Sequence, residues 1–381
     1  MLLAIAELAA VGLTAVAARR HGERNRDLAA RVVFDAFGLA LILAAVVSIG
    51  GLLTLPWLFS IMATPEAVTV QGAGYLTVYL TGVPILFTYF VMGAAFRAAG
   101  DTRTPLYLLA LAVGLNILLD PLLIFGFGPF PRLGIQGAAL ATIMTRALSL
   151  AIGLTWLVRR GLVRRGPLRV PELRKMFRIG LPVSAAGVVF SAVYIVLTRI
   201  TSQFGTPALA ALGVGHKIES LSYMACIGFG VAAATVVGQN LGAGKPERAR
   251  RGGWIATGYA LAATGLAALA FLLIPEWLMG VFTQDAAVIA AGTSYLRIVA
   301  IAQLFMAFEL VLMIAMEGAG YTIPAMVSSI GFTLLRLPLA FFLAGRIGLT
   351  GVWWAISSTA VARGVAVLGI WRWGGWRARE V

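Results

Sequence analysis

The chain has 381 residues, 60% of them hydrophobic and only 12% charged, with a formal net charge of +15 at pH 7. A soluble domain carries about twice that charged fraction, and here apolar blocks of about 20 residues recur to the C-terminus, which makes lipid the solvent. The basic excess would suit nucleic acid, but no soluble segment is long enough to fold into a reader. The lone cysteine, Cys226, excludes an internal disulfide and a cysteine-rich zinc site.

Residues 1–18 are apolar, with Glu7 inside and Arg19-Arg20 behind. A secretory signal carries its positive charge first, so this stretch is read as a transmembrane helix or the remainder of one. Further apolar segments follow at 35–58, 72–96, 105–127, 134–158, 177–203, 207–238, 254–279, 290–318, 323–345 and 349–371. Each is long enough for a hydrocarbon core of about 30 Å at 1.5 Å per residue. The expected fold is an all-α polytopic membrane protein of about eleven transmembrane helices.

Arginine and lysine fall on alternate loops. One set holds Arg19, Arg20, Arg24, Arg26 and Arg31, then Arg97 and Arg103, then the dense run from Arg159 to Arg178. Lys245, Arg248, Arg250 and Arg251 continue it, and Arg372, Arg377 and Arg379 end it. The intervening loops hold only Arg132 and Arg346. The basic loops and the C-terminus are therefore expected to be cytoplasmic, in a cell (inner or plasma) membrane. This leaves the first segment starting at the outer face with no helix before it.

The sequence also repeats itself. At an offset of about 220 residues, Gly22 matches Gly242, Ala29 matches Ala249, and Tyr75-Leu76 matches Tyr295-Leu296. Ala99-Gly100-x-Thr102 matches Ala319-Gly320-x-Thr322, with Pro105 and Pro324 close behind. Gly134-x-x-Gly137 matches Gly348-x-x-Gly351 at a slightly smaller offset. An even number of spans separates the partners, so the two halves are parallel repeats. The expected division is an N-terminal lobe at 1–158, a basic linker at 159–176 and a C-terminal lobe at 177–381. The repeat has no counterpart in the first half for helix 177–203 and most of 207–238, so the first lobe is expected to lack one helix and part of the next.

The loop motifs carry a resemblance. Phe96-Arg-Ala-Ala-Gly-Asp-Thr-Arg-Thr-Pro105, Asn116-Ile-Leu-Leu-Asp120-Pro-Leu-Leu-Ile-Phe-Gly126, Gly137-Ala-Ala-Leu-Ala-Thr142 and Val237-Gly-Gln-Asn-Leu-Gly-Ala-Gly244 resemble segments of the multidrug and toxic compound extrusion (MATE) family. The resemblance implies a twelve-helix fold in two lobes, here without the first helix. It also implies exchange of Na⁺ or H⁺ for amphipathic, mostly cationic compounds by alternating access, with no cofactor beyond the coupling ion. It maps a cation site of the first lobe onto Asn116, Asp120 and Thr142, and the family's further Asp on a first helix has no counterpart here.

The residues themselves point the same way. A carboxylate at the bilayer centre costs about 2.5–3.5 kcal/mol on insertion scales, so each one needs a reason. Asn116 and Asp120 are four apart and share a helix face; an amide oxygen beside a carboxylate suits a hard cation, and the carboxylate alone suits a proton. The alternative reading is a brace at a helix broken by Pro121. Glu309 sits mid-span, as either a second coupling acid or an ion pair with Arg336. Glu219 is either a site or a partner of Lys217, and His216 beside it reads more simply as a hydrogen-bonded structural residue. Arg199, Arg336 and Arg363 weigh against a purely cationic substrate unless each is neutralised. Pro84, Pro182 and Pro338 would bend their helices. Gly238 to Lys245 superficially suggests a phosphate loop, but Pro246 stands where a Ser or Thr would hold Mg²⁺, so no nucleotide is expected.

The expected partners are thus the bilayer and small amphipathic drugs, with no nucleic acid, and the chain is expected to be monomeric and not an enzyme. A lipid-linked oligosaccharide flippase of the same superfamily, and an inactive truncated remnant, are the competing readings.

Overall fold

The computed structural model describes residues 2–61 and 66–378; Arg379 of the basic C-terminus lies outside them. The described residues form thirteen α-helices and one 3-10 turn, with no strand. In an apolar solvent every backbone N–H and C=O must be paired within its own segment, and long helices achieve that. The helices are α1 (Leu2–Gly22), α2 (Arg26–Ile61), α3 (Glu66–Thr81), α4 (Val83–Ala98), α5 (Arg103–Phe125) and α6 (Ile135–Arg159). They continue with α7 (Val170–Ser202), α8 (Thr206–Gly242), α9 (Pro246–Leu273), α10 (Pro275–Gly280), α11 (Ala286–Gly318), α12 (Ile323–Ile347) and α13 (Leu349–Trp373).

Among the described residues nine of these helices are long and apolar enough to cross a membrane, and a tenth span arises if the bent pair α3 and α4 counts as one. The eleventh expected segment is α1, which is helical but not among the spans that qualify. Segment 72–96 is broken at Gly82 with a bend of 47°. Pro84 sits in the first turn of α4 rather than inside a helix. Segment 254–279 is likewise two helices, α9 and the short α10. Pro182 and Pro338 do lie inside α7 and α12.

The chain divides into two compact units, Leu2–Gly180 and a second beginning at Leu181, called lobe 1 and lobe 2 below. The boundary falls within α7. In lobe 1, α1 packs on α2 and α4, α2 on α4, α4 on α6, and α6 on α5. In lobe 2, α8 packs on α9 and α11, α9 on α11, α11 on α13, and α13 on α12. With α8, α9, α11, α12 and α13 as counterparts of α1, α2, α3–α4, α5 and α6, the two packing schemes coincide.

The correspondence extends to backbone detail. The amide of Asp101 donates to the Phe96 carbonyl at 2.9 Å, and that of Tyr321 to Met316 at 2.9 Å. The α1 and α8 ends close the same way, through Asn25 to Arg20 at 3.0 Å and Lys245 to Asn240 at 2.8 Å. Each is the six-to-one bond that terminates a helix on a left-handed residue. Gly134 (φ 57°, ψ −138°) and Gly348 (φ 66°, ψ −146°) precede α6 and α13 in a conformation only glycine adopts readily. Three residues on, a Cβ at Gly137 would sit 2.5 Å from the Leu123 carbonyl oxygen, and one at Gly351 would sit 2.3 Å from that of Leu343. Those two contacts clamp α5 to α6 and α12 to α13 at equivalent positions, which fixes the residue correspondence along both helix pairs.

The basic stretch before α7 is strapped to lobe 1. Arg169 donates through Nε and Nη2 to one oxygen of Asp35, at 2.9 and 2.7 Å, and through its backbone amide to the other at 3.3 Å. Asp35 is fully buried in α2. Arg164 pairs with Asp27 at 2.8 Å, and its amide donates to the Ala30 carbonyl. The lobe 2 core is apolar and aromatic, with Tyr295 and Trp353 in one cluster and Cys226, Trp371 and Trp376 in another. Cys226 is a buried free thiol.

Candidate functional site

In lobe 1 the Asn116 side chain donates to Asp120 Oδ1 at 3.1 Å, and both groups are part-buried on α5. The helix is not broken at Pro121; it runs on to Phe125 and closes on left-handed Gly126. Pro121 would interrupt the bond to the carbonyl of residue 117, one turn back. Among the described residues no basic nitrogen lies within 4.0 Å of Asp120. The carboxylate thus has one amide partner and spare lone pairs. Thr142 is not joined to the pair, because its hydroxyl donates to the Ala138 carbonyl of its own helix at 3.0 Å. The hydroxyl oxygen keeps acceptor capacity. Elsewhere in lobe 1, the Arg146 guanidinium lies over the Tyr89 ring, 4.6 Å from its centroid.

The Asp-Thr-Arg-Thr-Pro loop is a structural lock. Asp101 accepts from the amides of Arg103 and Thr104 at 3.1 and 2.9 Å, from the Thr104 hydroxyl at 2.6 Å and from Arg160 at 2.5 Å. It caps α5, whose first amides have no helical partner, and ties the α6 end to it. Partial burial pushes its carboxyl up, but the Thr104 and Arg160 bonds outweigh that and hold it below the usual carboxylate range.

Lobe 2 holds two acid-centred networks. Glu219 on α8 accepts from the Tyr295 hydroxyl and, at 2.7 Å, from the Gln303 amide, both on α11. Ser222 donates to the Gln303 carbonyl oxygen at 2.7 Å, and His216 Nδ1 lies 3.8 Å from Glu219. The ring of Tyr194, on α7, meets His216 edge to face at 5.0 Å. Lys217 is exposed and is not the partner of Glu219; one residue along a helix turns the side chain by about 100°. Gln303 is 1% exposed. It and Tyr295 carry no charge, and the sequence reading missed them.

The second network is centred on Glu309, 4% exposed on α11. Its ion partner is Arg363 of α13, at 3.2 Å, and not Arg336. Arg363 also donates to the Thr333 hydroxyl at 3.2 Å. Arg336 instead donates through Nε to the Thr359 hydroxyl at 2.9 Å. The choice follows from packing: α11 lies along α13, while α12 touches α13 and scarcely meets α11. Glu7 is exposed on α1, Glu317 is buried near the end of α11, and Arg199 is exposed on α7.

Long apolar helices in two repeated lobes, each with isolated polar groups in its interior, define a polytopic membrane transporter. Comparison with known proteins makes the class specific. A family profile described as MatE matches residues 1–122 and 182–342. The Thermotoga maritima "Probable multidrug resistance protein NorM" is 32% identical over 392 residues, covering 98% of this chain and 82% of the relative. A Shewanella oneidensis protein named "FAD transporter" is 27% identical, over 93% of this chain and 80% of its own. Among solved structures, the Vibrio cholerae MATE transporter VcmN superposes with a TM-score of 0.90 at 22% identity, over 99% of this chain and 87% of that one. A MOP superfamily transporter from Pyrococcus furiosus gives 0.91 at 22% identity, over 98% and 84%. The chain belongs to the MatE family of transporters and is a multi-pass membrane protein.

Proposed function

We propose that the chain exports amphipathic small molecules across the cell membrane in exchange for an inward-moving Na⁺ or H⁺, with Asp120 as the coupling carboxylate. The observation that carries this is the Asn116–Asp120 pair, a carboxylate with no basic nitrogen within 4.0 Å among the described residues, on a mostly apolar helix. A carboxylate so placed is costly when empty and charged. It is relieved when a proton or a desolvated cation neutralises it, and several kcal/mol of such relief can drive a two-state shift. The Asn116 amide oxygen and the Thr142 hydroxyl are the candidates to complete an oxygen-lined site. The basic loops face the cytoplasm on this reading, and the relatives named multidrug resistance protein support drugs as cargo. The relative named as an FAD transporter supports a wider range, since FAD carries a pyrophosphate.

The test is dye extrusion by the chain expressed in an efflux-deficient bacterial host. Expression lowers dye retention, and Asp120→Asn, which keeps the shape and removes the charge, returns retention to that of the empty host. Extrusion by Asp120→Asn at the unsubstituted rate would sink the coupling role.

A further inference from the structure

We propose that the interior of lobe 2 contains an anion subsite, in which Arg336 and Arg363 receive a carboxylate or phosphate group of the exported compound. The proposal rests on the exporter reading for its cargo, but the site itself follows from lobe 2 alone.

Guanidinium stays protonated at any pH a protein survives, so a buried arginine cannot shed its charge as a buried lysine or histidine can. It needs an anion. Arg336 and Arg363 lie within electrostatic reach of each other, which raises that need. Glu309 answers half of it through the 3.2 Å contact with Arg363. Arg336 is 5% exposed, yet its one hydrogen bond is from Nε to a neutral hydroxyl, Thr359. Among the described residues no carboxylate oxygen lies within 4.0 Å of it, and its two terminal nitrogens have no hydrogen-bond partner. Arg363 Nε is buried and also without a partner. The remaining acid, Glu219, is held by Tyr295 and Gln303 and feels Arg336 only at longer range. Two guanidinium groups with unused donors therefore face one committed carboxylate.

The repeat sharpens the point. Thr102 with Thr322, and Leu123 with Leu343, fix the correspondence between α5 and α12 at both ends. Between them Asn116 falls opposite Arg336, and Asp120 opposite Ala340. Where lobe 1 presents an amide and a carboxylate, lobe 2 presents a guanidinium and a methyl group. The same place in the scaffold has exchanged a cation-seeking pair for an anion-seeking one. Planar oxyanions suit it best, because guanidinium offers paired parallel donors.

The experiment compares rhodamine B, which bears a carboxylate, with its ethyl ester, which lacks that charge on the same fluorophore. Fluorescence anisotropy measures the binding of each to the purified chain in neutral detergent. The acid is expected to bind at least about tenfold tighter than the ester. Arg336→Gln is expected to erase the difference without changing ester affinity, and Arg336→Lys to restore part of it. Thr359→Val, which frees the guanidinium from its orienting hydroxyl, is expected to reduce the preference and serves if Arg336→Gln does not fold. Equal affinities in the unsubstituted protein would overturn the proposal, and need no variant to observe. So would a preference that survives Arg336→Gln in folded protein. An intact carboxylate preference without any dye extrusion in cells would instead defeat the exporter reading and leave the anion subsite standing.

Discussion

The two lobes share one backbone and hold opposite chemistry. Gly134 with Gly348, Gly137 with Gly351 and the repeated helix closures place α5 on α6 and α12 on α13 in the same way. Inside that frame, lobe 1 has the Asn116–Asp120 pair and Arg146 stacked on Tyr89. Lobe 2 has Arg336 opposite Asn116, and Glu309 opposite Tyr89 with an arginine of its own from α13. The backbone contacts leave no room for change, because a carbonyl already occupies the space of a Cβ. The interior polar positions are free to diverge, since each needs only a partner of matching charge. A duplicated scaffold can thus come to present two kinds of polar group.

The comparison breaks most sharply at the buried cations. Arg363→Leu leaves Glu309 buried without its contact partner, which costs about 3–5 kcal/mol, and adding Glu309→Leu restores most of it. In lobe 1, Arg146→Leu removes only a cation–aromatic contact, worth about 0.5–2 kcal/mol. Thermal unfolding of the purified protein is expected to rank the three variants in that order, and a cheap Arg363→Leu would mean that Glu309 has another partner. The shared frame is tested next. Gly137→Ala and Gly351→Ala each force a methyl against a backbone carbonyl, at about 1–3 kcal/mol apiece. Equal losses support equivalence, whereas loss at one site only would break it.

A further modest effect concerns a feature that lobe 2 lacks, since Tyr321 stands where lobe 1 has Asp101. Asp101→Ala removes a helix cap, costing about 1–2 kcal/mol. Because the folded carboxyl titrates below its usual range, this stability is present above the ordinary carboxylate pKa. It disappears as pH falls through the lower, folded value. The gap between the unsubstituted protein and Asp101→Ala should therefore be full at neutral pH and close in acid. A gap that widens in acid would show the shift has the opposite sign.

The membrane class, the helix order and the repeat were legible in the sequence because they depend on apolar length and the placement of arginine, both one-dimensional. The Asn116–Asp120 bond was legible too, being a contact within one helix. Partner choice across helices was not. Glu309 could be assigned to Arg336 or Arg363 only by knowing how α11, α12 and α13 are rotated. Gln303 and Tyr295 escaped because neutral side chains in an apolar run carry no charge signal. The eight-residue spacing that stacks them on one face of α11 is visible only once Glu219 is known to face it. Asp35 escaped because α2 begins at Arg26, well before the apolar run, and so carries that acid into the packed interior.

The most direct test of opposite lobe chemistry is gradient-driven efflux from proteoliposomes, measured for rhodamine B and its ethyl ester in Asp120→Asn and Arg336→Gln side by side. Asp120→Asn is expected to abolish movement of both dyes under a Na⁺ or a proton gradient, and Arg336→Gln to slow only the carboxylated one. Efflux of both dyes at the unsubstituted rate by Asp120→Asn, or an equal loss of both in Arg336→Gln, would contradict the division of labour between the lobes.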